Sequence, residues 1–193
     1  MSVSDITLVG WFHTLFCFVA MLAGARNLIA EKGTPAHRYA GQWYIASMVL
    51  LNVSALFIYR VGQVTAVQGA RLDRFSAFHW MAVFTLAVIA FAYFAARRQH
   101  HGIFAYAHPA AMVVSYYMLV GGAVNEVFVH VTSLRPYGYV HLPHSHVVVP
   151  GPAVTATHMT VLFLSFALLT WFMAKVASHR ASQRSAPEVA AAE

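Results

Sequence analysis

Twelve histidines stand in a chain of 193 residues that carries only six acidic ones. Imidazole ligates haem iron, zinc and copper, and it is the side chain that titrates nearest neutral pH. The spacing has a pattern. His37 and His108 open two apolar runs, while His13, His79 and His158 lie several residues inside three others. His130 closes the run that His108 opens. His141, His144 and His146 cluster in a proline-containing loop; such tracts bind copper, zinc or nickel, or stay solvated. Glu126 is the one carboxylate inside any apolar run, and it shares a helix face with His130 four residues on.

The composition says what must hold these groups. Hydrophobic residues make up 60% and charged residues 9%, whereas a soluble domain carries roughly a quarter charged residues. Mean hydropathy is +0.62. That excludes an ordinary water-soluble enzyme. Five stretches reach the roughly 20 residues that cross a bilayer: Ile6–Ile29, Pro35–Tyr59, Phe75–Ala96, Phe104–Val131 and Ala153–Val176. The first lacks a basic flank and a cleavage site, so it reads as a retained span. Cys17 is the only cysteine, which excludes a disulfide framework, a cysteine-based zinc site and C-x-x-C-H haem attachment.

The net charge is +6, but the cations stand at the ends of the apolar runs. That pattern sets membrane orientation and does not suit nucleic acid. Arg26, Lys32, Arg38, Arg97, Arg98, Lys175, Arg180 and Arg184 fall on one side, and the other four of the 12 basic residues on the opposite side. The expected fold is therefore an all-α integral membrane bundle of five transmembrane helices, with the N-terminus outside and the C-terminus cytoplasmic. Residues 1–176 form one domain, with an outer loop at 132–152. The Ala/Ser-rich stretch 177–193 is expected as a disordered cytoplasmic tail. Thr34 is a good N-cap and Pro35 a good first helical residue for the second span.

Because the spans alternate in direction, spans two and four each offer one inner histidine, His37 and His108. Spans three and five each offer an outer one, His79 and His158. Facing histidines on two helices can ligate one haem iron from both sides. His79 sits about 18 residues above His37, a layer separation of roughly 27 Å. One or two haem b groups fit that height. Gly41, Ala82 and Ala111 leave room beside the imidazoles, and Arg38 offers a cation to a propionate.

The run Lys32-Gly33-Thr34-Pro35-Ala36-His37-Arg38-Tyr39-Ala40-Gly41, with Phe78-His79-Trp80 and His108, Met112, Ser115, Tyr116 and Tyr117, resembles a bacterial multi-pass membrane family, domain of unknown function 2306. The resemblance covers about Val9 to Asn125 and implies a bacterial inner-membrane, multi-pass protein. The order of His37, His79, His108 and His158 is also similar to the transmembrane di-haem b-type cytochromes. That likeness implies pairing of span two with four and three with five, and electron transfer across the bilayer with a quinone or another redox partner. It makes the chain a possible transmembrane oxidoreductase.

Two other readings stay open. His13, His79 and His158, with Glu126 or His130, offer a zinc or copper site near the outer face, with a hydrolase or metal-handling role. The chain also suits a non-catalytic accessory subunit of a membrane complex, or an oligomer. A haem protein is red; a zinc or copper protein is told apart by elemental analysis.

Overall fold

A computed structural model describes residues 8–58, 77–98, 102–131, 133–141 and 148–190. Five helices follow in order: α1 Leu8–Ile29, α2 Pro35–Ala55, α3 Ala77–Arg97, α4 Phe104–His130 and α5 Pro152–Ala190. Between α4 and α5 lie a 3₁₀ turn at Arg135–Tyr137 and a small antiparallel ribbon, β1 Tyr139–His141 with β2 Val148–Pro150. The Gly151 amide donates to the Gly138 carbonyl at 2.8 Å, which ties the ribbon to the start of α5. The connection between α4 and α5 therefore contains regular structure among its described residues.

The helices are arranged inside out relative to a soluble protein. Leu15, Phe18, Leu22, Phe84, Phe163 and Phe166 are exposed, while Asn27, Ser47, Asn52, His79, Thr85 and Ser115 are buried. An exterior of this kind is stable only in lipid, where apolar side chains face the solvent and polar ones must find partners within the bundle. The core is compact: Ala20, Tyr44, Met48, Leu51, Ile89 and Leu119.

Four helices, α1, α3, α4 and α5, are long and apolar enough to cross a membrane. α2 has the length, 21 residues or roughly 31 Å, but carries more polar residues. Ser47 and Asn52 among them are buried, while Arg38 and Gln42 are exposed. α2 also runs the full height of α1. Asn27 meets Gly41 near one end, and His13 reaches Leu51 and Ser54 near the other.

The turn between α1 and α2 accounts for most of the Lys32–Gly41 run. Lys32 closes α1, its Nζ donating to the Asn27 and Leu28 carbonyls at 2.6 and 3.0 Å. Gly33 holds φ +82, a left-handed conformation that side chains resist. Thr34 caps α2 by accepting the His37 amide at 3.2 Å, with Pro35 at the first position. Both expectations for these two residues hold.

Two boundaries differ from the expectation. α5 does not stop near Val176 but continues as helix to Ala190, through the segment expected to be a disordered tail. Alanine is the strongest helix former, and Ala177, Ala181, Ala186 and Ala190 recur there. α2 ends at Ala55, short of Tyr59, which lies outside the described residues.

The two ends of the bundle differ in chemistry. At the basic end, cations lie over aromatic rings: Lys32 over Phe172 at 4.8 Å, Arg98 over Phe94 at 4.6 Å, Lys175 over Trp171 at 5.2 Å and Arg180 over Tyr106 at 5.5 Å. Such pairs mark the level where a helix meets headgroups. The opposite end carries the ribbon.

Candidate functional site

His37 and His108 are the first residues to place. Both stand at the basic end, near the starts of α2 and α4, which run in the same direction. Two turns further along, Tyr44 and Ser115 meet: the Tyr44 hydroxyl donates to Ser115 Oγ at 2.9 Å, and Ser115 donates on to the Met112 carbonyl. Tyr44 and Ser115 are 71 residues apart, and so are His37 and His108. Seven residues are two turns on one helix face, so the histidine pair lies on the same facing stripes, about 10 Å below the Tyr44–Ser115 bond. The two imidazoles are close enough to interact electrostatically.

Their nitrogens are in different states. His108 Nδ1 donates to the Ala92 carbonyl of α3 at 3.0 Å, which fixes the tautomer and leaves Nε2 as a bare electron pair. A backbone carbonyl on the far nitrogen is the usual support of a ligating imidazole. His37 Nδ1 is buried with no hydrogen-bond partner. So is Asn27 Oδ1 on the neighbouring α1. Two buried polar atoms without partners at one end of a membrane bundle are costly, unless something else satisfies them.

Lys32 belongs to this end as well. Partial burial, and then the charge of Lys175, push its ammonium below the usual lysine range. These are the only two lysines of the chain, which makes the shift readable. In amine acylation followed across pH, Lys32 should reach half-maximal reactivity below the pH at which an ordinary lysine does. Lys175→Met should move the Lys32 midpoint upward, because a like charge has been removed. A Lys32 midpoint at the ordinary lysine value that ignores this substitution would count against the assignment.

Arg38 does not reach toward the pair. Its Nε and Nη2 donate to the Gly33 carbonyl at 3.3 and 3.1 Å, and it is exposed. Gly41 is likewise not open space beside a ligand. A Cβ there would lie 3.4 Å from Asn27 Nδ2, an ordinary contact distance, so Gly41 packs beside Asn27 of α1. Lys32, Gly33, Thr34, Pro35 and Arg38 are thus assigned to the turn, while the His37 ring lies beside α1, interacting with the Asn27 backbone through one nitrogen and leaving Nδ1 without a partner.

The histidines at the ribbon end are turned to separate neighbours. His13 Nδ1 donates to the Leu51 carbonyl and lies 3.2 Å from Ser54 Oγ. His158 donates Nε2–H to Asn125 Oδ1 at 2.9 Å, over Gly121, where a Cβ would stand 3.5 Å from the ring. His79 is buried near the start of α3. Glu126 pairs with His130 at 3.0 Å and exerts a Coulombic influence on His13. Among the described residues no three histidine, cysteine or acidic side chains gather as a metal-ligand set. The convergence of His13, His79 and His158 expected from depth is therefore not present there. Matching depth does not fix azimuth, and α3 and α5 each pack mainly against α4. His144 and His146 lie outside the described residues; His141 pairs through its backbone with Val148.

Sequence reasoning missed Asn27 and the Tyr44–Ser115 bridge. Asn27 had a readable signal: it is the one amide in the first apolar run, and with Ala20 and Gly24 it makes a small-residue face at i, i+4, i+7.

An apolar exterior, five long helices and a polar interior with a histidine pair define a multi-pass integral membrane protein. The chain matches the family described as "Predicted membrane protein (DUF2306)" over residues 10–157, and it belongs to that family. Neither a curated protein nor a solved structure matches it.

Proposed function

We propose that the chain is a haem b-binding membrane protein that passes electrons through a haem held at the basic end by His37 and His108. The observation that supports this most is the shared register of the two histidines, two turns below a tyrosine that spans from α2 to α4. Bound there, haem b supplies a one-electron carrier. The chain's own residues do the rest. His37 and His108 supply imidazole from opposite helices, and the Ala92 carbonyl orients His108. Tyr44 and Ser115 set the spacing of α2 and α4, and the apolar bundle keeps water away. A quinone or another redox protein is the partner class that suits a site near a membrane face.

A second haem between His79 and His158 is part of the same reading only if His158 gives up Asn125, since Nε2 cannot donate a proton and bind iron at once. The basic end thus carries the reading. A bare zinc or copper site is disfavoured, because the ribbon-end histidines face separate partners.

The test is the purified protein from cells supplied with haem precursor. It should be red, with a Soret band and about one haem b per chain by pyridine haemochrome. A colourless, monodisperse preparation sinks the reading; zinc or copper found in it would promote the metal site. Co-purification with a larger complex and no cofactor would point to an accessory subunit.

The orientation proposed with it places the basic end in the cytoplasm of a bacterium, following the excess of cations there. A reporter fused after Glu193 should be active only in the cytoplasm, and one at Ser145 only outside. The reversed pair would move the histidine pair to the outer face.

A further inference from the structure

A groove of about 430 Å³ runs between α1 and α2 on the outside of the bundle, away from the face that carries His37. Leu22 and Ala23 of α1 and Ala40 and Trp43 of α2 line it. Tyr39 meets Trp43 edge-on at 6.2 Å along its wall. The groove is apolar apart from Arg26, which stands toward the basic end. Arg26 is exposed. The Glu126–His130 ion pair lies at the opposite end, and Arg26 forms no salt bridge among the described residues. Arg38, the nearest cation in sequence on α2, is engaged with the Gly33 carbonyl.

A guanidinium without a counter-ion at the head of an apolar trough selects a ligand with one charged end and one apolar end. Guanidinium binds phosphate through paired hydrogen bonds. The aromatic pair stands at the depth where rings meet the boundary between headgroup and chain. We propose that this groove holds an anionic phospholipid, with its acyl chain along Leu22, Ala23, Ala40 and Trp43 and its phosphate on Arg26. A quinone would fill the apolar part but leaves Arg26 without an anion. A zwitterionic lipid brings a quaternary ammonium toward Arg26 along with its phosphate. The proposal is independent of the haem reading, since it uses another face of α2.

The test places the full chain in nanodiscs of phosphatidylglycerol and phosphatidylcholine in equal parts. The protein is then extracted gently, and the retained lipid is counted by mass spectrometry. The wild type should retain phosphatidylglycerol over phosphatidylcholine by roughly fivefold, the preference one arginine gives near an anionic surface. Arg26→Gln should bring that ratio close to one. Ala36→Trp, at an exposed lining position, should block the groove and lower the total retained. Arg98→Gln, a cation at the same end outside the groove, should change neither. Equal retention of both lipids by the wild type overturns the proposal. So does an Arg26→Gln ratio equal to wild type, or a quinone recovered in place of the lipid.

Discussion

His37→Ala and His108→Ala should each strip the haem from the purified protein, cutting haem per chain by tenfold or more, with the double variant losing nothing further. Two ligands of one iron act as a unit, so their losses do not add. The variants should still fold. His108 contributes one hydrogen bond to the Ala92 carbonyl, worth about 1 kcal/mol. His37 Nδ1 makes none, so its loss removes one unsatisfied atom together with the ring's single interaction with the Asn27 backbone. A monodisperse elution profile and unchanged helicity would verify this. His37→Gly opens a cavity that free imidazole can enter, so added imidazole should restore the Soret band in that variant. Arg38→Ala should keep most of its haem and lower thermal stability slightly, because its guanidinium binds the Gly33 carbonyl. Full haem in either histidine variant would remove that residue from the site. Haem loss on Arg38→Ala equal to that of a histidine variant would return Arg38 to a propionate role.

How much of this could be read from the residues depends on what each one reports. Span starts were legible where local chemistry fixes them: Thr34 and Pro35 begin α2, and α4 begins at Phe104 as expected. Hydropathy was ambiguous for α2, since buried Ser47 and Asn52 lower its average as much as exposed Gln42 does. In the tail, composition suggested disorder, whereas α5 runs on to Ala190 through recurrent alanines that favour helix. Depth along each span was legible, and it set His37 and His108 at the same end of the bundle, where α2 and α4 begin. Azimuth was not, because it depends on which helices neighbour each other. For that reason His158 could not be seen to face Asn125, nor His13 to face Leu51. The most distinctive motif carries two roles at once. Its Gly41 suggested room for a cofactor, and its Arg38 a propionate partner. In the fold Gly41 lies beside Asn27 and Arg38 braces the turn.

Gly24→Ala should lower the melting temperature by roughly 4–8 °C, corresponding to about 2 kcal/mol for a chain of this size. A Cβ at Gly24 would stand 2.5 and 2.7 Å from Tyr116 Cε2 and Cδ2, and 3.0 Å from Tyr44 Cε2. Those contacts lie at the crossing of α1 with both α2 and α4, beside the buried Tyr44–Ser115 bond. The two rings differ in freedom. Tyr116 is half-buried, and its hydroxyl holds the Met21 carbonyl at a long 3.4 Å, so it can swing. Tyr44 is 1% exposed and anchored, so it cannot. Alanine gains about 1 kcal/mol over glycine in a helix, but overpacking a tight contact costs about 1–3 kcal/mol, and the clash with ring carbons puts this site at the high end. Tyr116→Phe should not relieve it, because the hydroxyl is not what collides. Tyr116→Ala in the Gly24→Ala background should cost less than the two single changes added together. The same displacement should loosen the spacing of α2 and α4 two turns from His37, so haem affinity should fall along with stability. A Gly24→Ala protein that melts at or above wild type would show that Tyr116 yields freely, and that Gly24 is not what sets this crossing.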